Sequence, residues 1–322
     1  MNTRMSVYRS ASNSSTHGSE EGVPGRPTGG LLLVHAHPDD ESVTTGGTIA
    51  YYRRRGVPVT VVTCTLGEEG RVIGERYAQL VSSTADQLGG YRIAELTRAL
   101  AALDAGEPWF LGGPGRWRDT GVVGTSTGPG LPDPLHSRAF ASAGDEAVHE
   151  LVRVLLAIRP QVVIGYDPHG GYGHPDHIRA HQITMAAVDA TAGLGWATPK
   201  LYWAVTDATV LHRHLRSLSH RSAELPPGWR LPVTGELASV PSSSVTTTID
   251  VSEVMPAKLA ALRSHSTQIS VSPTGREFAL SNKIAQPILP EEHFILVRGR
   301  LDAGCPARHE RDLLAGLSAN TK

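Results

Sequence analysis

The segment Leu31-Leu32-Leu33-Val34-His35-Ala36-His37-Pro38-Asp39-Asp40-Glu41 joins an apolar run to a cluster of imidazoles and carboxylates. A continuous apolar run of this kind is expected for a strand covered on both faces of a parallel sheet. The polar residues then fall just beyond the strand's carboxyl end, where α/β sheets bind their ligands. A second segment repeats the arrangement. Val162-Val163-Ile164-Gly165-Tyr166 reads as another buried strand, and Tyr172-Gly173-His174-Pro175-Asp176-His177 follows it. Two distant stretches therefore point to one crevice.

Between and beyond them the pattern alternates. Val57 to Cys64, rich in β-branched residues, predicts a strand, as does Trp109-Phe110-Leu111. Helices are expected over Gly46 to Arg55, Arg92 to Leu103, Asp145 to Arg159 and Ile178 to Ala190. The third carries apolar residues at Val148, Leu151, Val152, Leu155 and Leu156 and stops before Pro160. Gly112 to Ser142 reads as a long Gly- and Pro-rich loop, a length often functional. Strands alternating with helices imply right-handed βαβ units, hence an α/β, Rossmann-like, doubly wound and mainly parallel sheet. After residue 200 the pattern loosens: strands at Leu201 to Val205, Val245 to Val251 and Phe294 to Val297, and a helix over Ser252 to His265. The expected organisation is a disordered tail over 1–30, a catalytic core over 31–200, and an α+β portion over 201–322 that packs on the core and shapes the pocket.

Composition narrows the function. The 322 residues are 40% hydrophobic, enough for a globular core. A formal charge of -1 gives no basic field for nucleic acid or an anionic membrane. No apolar run approaches the roughly 20 residues of a membrane span. Met1 onward lacks the apolar core of a secretory signal. The two cysteines, Cys64 and Cys305, are too few for a disulfide framework and fit a reducing cytoplasm. The oligomeric state is not encoded in any visible pattern.

The two His-Pro-Asp segments carry the chemistry. Catalytic zinc typically takes three protein ligands from His, Asp and Glu and leaves one position open. His37 and Asp40, in a turn after a strand, can face one ion, and His177 at a helix start supplies the third donor. Asp39 lies beside them as a general base for a water whose pKa the metal lowers. His174 can donate a proton or stabilise an oxyanion, with Asp176 orienting its imidazole. Pro-Asp is also ordinary turn and capping chemistry, so one such triplet alone would mean little; two at strand ends mean much more. His181 and His35 read as packing or supporting residues, Glu68 and Glu69 as solvated loop charges, and Trp117 as a plug over the core.

With these residues in view, the chain resembles the LmbE-like (PIG-L type) zinc deacetylases, whose signature is an early His-Pro-Asp-Asp and a later His-Pro-Asp-His. Thr63 to Gly70, Gln87 to Arg92, Gly115 to Asp119, Asp167 to His174, His265 to Gln268 and Pro273 to Arg276 extend the likeness, and favour the branch that acts in mycothiol biosynthesis. The resemblance implies one divalent ion per subunit on His37, Asp40 and His177, zinc or alternatively iron. It implies Asp39 as base, His174 as electrophilic or acid partner supported by Asp176, and Tyr172 as a mobile residue polarising the carbonyl. Arg92 and Asp119 would contact a small amino-sugar inositol substrate, from whose N-acetyl group acetate is removed. Two positions depart from the pattern. Arg71 stands where an acidic residue is expected, and His169 where Asn is.

The alternative within the family is a mycothiol S-conjugate amidase, or another N-acetyl sugar deacetylase. Ser42-Val43-Thr44-Thr45 lacks the Lys expected of the amidase branch. A nucleotide-binding module would need a Gly-rich turn after the first strand, and that turn is His-Ala-His-Pro-Asp-Asp instead.

Overall fold

The computed structural model of the protein describes residues 28–125, 128–304 and 309–317. The tail expected at the N-terminus lies outside the described residues up to position 27, as does Cys305.

Five strands run parallel: β1 (Leu31–His35), β2 (Val59–Thr63), β3 (Trp109–Phe110), β4 (Val162–Gly165) and β5 (Lys200–Val205). Two later strands, β6 (Thr247–Asp250) and β7 (Glu291–Arg298), extend the same sheet; β7 is antiparallel to both β5 and β6. The order is β3-β2-β1-β4-β5-β7-β6. It reverses between β1 and β4, which opens a crevice at their carboxyl ends. The expected doubly wound α/β sheet is the observed one.

Successive side chains of the central strands divide between two cores, as a period of two demands. Leu31, Leu33, Val61 and Ile164 pack with Ile49, Leu96 and Leu100 on one face. Leu32, Val34, Val62 and Val163 pack with Leu151, Leu155 and Ile183 on the other. Fully burying each such side chain contributes about 1.5–3 kcal/mol, so both faces resist any shift of register. The α-helices of five or more residues among the described residues are α1 (Asp40–Thr44), α2 (Gly46–Arg54), α3 (Leu88–Ala102), α4 (Asp145–Ile158), α5 (Pro175–Ala192), α6 (Ala208–His220) and α7 (Met255–Ser264). α3 packs on α7, and α4 on α5.

Three local differences from expectation have physical causes. α3 starts at Leu88, ahead of the expected Arg92, because Gly89 serves close packing instead of breaking the helix: a Cβ there would lie 2.7 Å from the Glu68 side chain. α6 was not expected; only Leu211 and Leu218 of it are buried, so its apolar signal is thin. The long loop after β3 contains a hairpin, Val123–Thr125 with Gly128–Gly130, and is anchored where Arg118 N donates to Arg138 O at 2.8 Å. Beyond β5, a small antiparallel sheet of Ser270–Val271, Glu277–Ala279 and Gln286–Pro287 sits apart from the main one. Among the described residues no helix is long and apolar enough to cross a membrane.

Candidate metal centre and active site

β1 delivers His37 to the crevice. The chain then turns at Pro38-Asp39 into α1, and Asp39 adopts φ 122, ψ -30. Few residues other than glycine tolerate a positive φ; such strain costs about 1–3 kcal/mol and persists only where the surroundings enforce it. Here they do. The Asp39 carbonyl accepts the N–H groups of Ser42 and Val43, both at 3.0 Å. Its own N–H donates to Glu41 Oε2 at 2.9 Å. The buried Arg92 guanidinium donates to Pro38 O and, at 2.7 Å, to Gly67 O, and lies 3.2 Å from Asp39 Oδ2. Gly67 is required there, since any side chain would occupy the guanidinium's place.

The second turn is relaxed. His174 is the N-cap of α5, Pro175 occupies the first turn, and His174 Nδ1 accepts the Asp176 N–H at 3.1 Å. His177 follows with its ring aimed back across the crevice, and Gly170 O lies 3.2 Å from its Nδ1.

Three donor atoms converge between the turns. His37 Nδ1 and His177 Nε2 are 3.3 Å apart, and each is 3.4 Å from Asp40 Oδ2. A tetrahedral zinc with bonds of about 2.0–2.1 Å would space its ligand atoms by about 3.3–3.4 Å. The remaining ring nitrogens complete the fit. His37 Nε2 is 3.1 Å from Asp176 Oδ2, and His177 Nδ1 faces the Gly170 carbonyl. With its outer N–H donated to that fixed acceptor, each imidazole can present a lone pair inward to a cation, the usual arrangement around a metal-ligating histidine. Asp40 Oδ2 is held by the His37 N–H at 2.9 Å and the Tyr166 hydroxyl at 2.7 Å. Tyr166 also accepts the Ala36 N–H and stacks on His177 at 4.4 Å.

Two other combinations also bring donors together. His37, His174 and His177 place one nitrogen each within 4.8 Å of one another. His37, Asp119 and Asp176 are close as well, through the opposite nitrogen of His37, and there Asp176 also accepts the Thr120 N–H at 2.9 Å and the Thr120 hydroxyl.

Charge follows the same geometry. Burial opposes ionisation of Asp40, but His177 and His37 outweigh it and hold its carboxyl well below the usual range. Burial likewise opposes a charge on His37, and Asp119, Asp176 and Asp40 more than offset it. The site is built to receive a cation. Asp39 is pushed up to about 6 by burial, against the pull of Arg92. His174 is pushed down to about 2 by burial and the neighbouring His37 and His177 rings, so it is neutral.

Several residues take places different from those expected. Asp176 does not orient His174 with its side chain; its carboxylate supports His37, and only its main-chain N–H reaches His174. The reason is position: in the first turn of α5, fully buried, the carboxylate points into the crevice toward the Thr120 loop. Glu68 is buried and Glu69 partly so, and both are engaged. Glu68 accepts the Asp119 N–H at 2.9 Å, and Glu69 binds Arg118 at 2.7 Å. Asp119 lies 3.5 Å from His37 Nε2 and lines the cavity, as do Arg92, Arg71 and His169. Tyr172, half exposed at the mouth, sets its ring edge-on to His177 at 5.2 Å. His35 meets Thr45, His181 meets the Tyr166 carbonyl, and Trp117 packs in the core against Phe140. The sequence assigns no site role to Tyr166, Thr120, Glu41 or His265. Tyr166 ends a buried strand, where a phenol needs a partner, and that was the one available signal.

The cavity has a volume of about 830 Å³, and its lining includes Asp39, Asp119, Thr206, Ser239, Asn282 and His293. Comparison with known proteins agrees with this layout. Residues 32–188 match the PIG-L family model, described as GlcNAc-PI de-N-acetylase. Over 295 residues the chain is 66% identical to a 1D-myo-inositol 2-acetamido-2-deoxy-alpha-D-glucopyranoside deacetylase of Nocardia farcinica, covering 90% of this chain and 97% of the relative. The chain belongs to the PIG-L family. A relative of the same description from Mycolicibacterium smegmatis is 51% identical, over 89% of this chain and 96% of its own. Both His-Pro-Asp turns lie inside the PIG-L match, whereas His265, Asn282 and His293 lie beyond it. Among solved structures, the 4-carboxy-2-hydroxymuconate hydratase GalB of Pseudomonas putida superposes with a TM-score of 0.52 at 17% identity, over 86% of this chain and 100% of that one. That likeness concerns the fold alone.

Proposed function

We propose that the chain is a metal-dependent N-deacetylase that hydrolyses the acetamide of 1D-myo-inositol 2-acetamido-2-deoxy-alpha-D-glucopyranoside, releasing acetate and the free amine in mycothiol biosynthesis. The observation that carries this reading is the triangle of His37 Nδ1, Asp40 Oδ2 and His177 Nε2, with Asp39 next in sequence. High identity along nearly the whole chain to relatives of that description supplies the substrate. Zinc suits two imidazoles and a carboxylate, and iron suits the same set.

A divalent ion held by His37, Asp40 and His177 would supply Lewis acidity, polarising the acetamide carbonyl and acidifying a water near neutral pH. Asp39, beside that position and free of the ligand set, accepts the proton and returns it to the departing amine. His174 is neutral and uses Nδ1 as an acceptor, so its proton sits on Nε2, where it donates to the oxyanion. Tyr172 offers a hydroxyl from the mouth. Arg92 and Asp119 bind sugar hydroxyls, with Arg92 also restraining the Asp39 turn. We assign residues 31–200 to the catalytic core and 201–322 to shaping the pocket; wall residues such as Thr206, Ser239 and Asn282 support that division. The buried, unpaired Cys64 is in keeping with a cytoplasmic setting.

The test is acetate release from the sugar-inositol, compared with plain N-acetylglucosamine, before and after chelation. Preference for the inositol conjugate, loss on chelation and recovery with zinc or iron are expected. Equal rates on both sugars would remove the substrate assignment, and chelator-insensitive turnover would remove the metal.

A further inference from the structure

Glu41 and His265 have no place in the reaction just described. Both are fully buried, they are 224 positions apart, and Glu41 Oε1 meets His265 Nε2 at 2.7 Å. Burying a carboxylate against an imidazole is costly compared with apolar residues of similar volume. Glu41 Oε1 also accepts the Ser42 hydroxyl at 2.5 Å, which leaves Oε2 aimed at the Asp39 N–H, 2.9 Å away.

We infer that Glu41, oriented by His265, is a positioning residue that locks the general base Asp39 into its turn. The inference rests on the deacetylase reading for Asp39's role. The peptide between Pro38 and Asp39 is gripped on both edges: its carbonyl accepts from Arg92 and its N–H donates to Glu41. The next peptide is fixed because the Asp39 carbonyl caps α1 through Ser42 and Val43. With both flanking planes held, the Cα–Cβ direction of Asp39 is set, and its φ of 122 cannot relax. Arg92 alone leaves the N–H side open. His265 ends α7, so the Glu41 carboxylate is aimed from an element some distance along the chain.

The test combines kinetics, metal analysis and crystallography on the full metal-loaded chain. Glu41→Ala should lower kcat about a hundredfold, the scale of a misplaced reacting group. KM and bound metal should be unchanged. In an Asp39→Ala background the same substitution should cost nothing further, because its effect passes through Asp39. Glu41→Gln, which keeps an oxygen for the Asp39 N–H, should recover much of the loss. A crystal structure of Glu41→Ala should show Asp39 with a negative φ. An equal loss in both backgrounds, a loss that follows metal content, or Asp39 still near φ 122 would overturn the inference. Should Glu41→Ala fail to fold, His265→Gln carries the same comparison, with a kcat loss that vanishes in the Asp39→Ala background. The crystallographic result decides the positioning role even if the wild-type chain releases no acetate, an outcome that would instead overturn the deacetylase reading.

Discussion

The two His-Pro-Asp turns share three residues in a row and solve different problems. In the first, Asp39 takes a strained backbone conformation and turns its carboxylate toward the cavity, leaving Asp40 to face the two histidines. In the second, Asp176 occupies a relaxed helix start and points its carboxylate inward, where Thr120 and His37 saturate it. One aspartate is available for chemistry and the other is consumed as support. The contrast teaches that the role of a motif residue is set by backbone conformation and neighbours, and the tripeptide itself leaves it open.

The largest effect should come from the atoms both turns contribute. Asp40→Ala or His177→Ala should lose bound metal and reduce turnover to that of chelated protein, as measured by metal content and acetate release. Next, Asp39→Ala should retain metal while kcat falls by about 10²–10⁴, the usual contribution of general base catalysis. Asp176→Asn should behave differently: metal affinity should fall about 10–100-fold, as for other outer partners of a ligating histidine, with turnover restored at saturating metal. If Asp39 and Asp176 substitutions gave the same pattern, the division of labour between the turns would fail.

Smaller effects sharpen the picture. Tyr166→Phe leaves the buried Ala36 N–H without its acceptor and should cost about 1–3 kcal/mol in urea unfolding. The Glu41–His265 pair predicts a modest pH dependence. His265 has a raised proton affinity in the fold, because Glu41 outweighs the opposing effect of burial. Its contribution to stability is therefore complete below its ordinary pKa of 6.5 and is lost as pH rises through the higher folded-state value. Wild-type Tm should decline across that window more steeply than that of His265→Gln.

Much of this was legible in the chain because two kinds of signal coincide. Continuous apolar runs at Leu31 to Val34 and Val162 to Ile164 announce strands buried on both faces, and the polar clusters follow at their carboxyl ends. That placed His37, Asp40 and His177 in one crevice, and the structure brings them together. What was hidden depends on direction and distance. No spacing rule reveals that Asp176 supports His37 across 139 positions, or that His265 reaches Glu41 across 224. Glu68 and Glu69 look like solvated charges until the loop carrying Arg118 and Asp119 folds over them. α6 hid behind a polar composition, although Asp207 at its start, accepting from Thr209 at 2.7 Å, was a readable cap.

Anomalous diffraction from a crystal of the zinc-loaded chain, recorded at the zinc edge, tests the central assignment most directly. A single strong peak bonded to His37 Nδ1, Asp40 Oδ2 and His177 Nε2 is the predicted result. A peak on the other side of the His37 ring, bonded to Nε2 with Asp119 and Asp176, or no peak between the two turns, would contradict it.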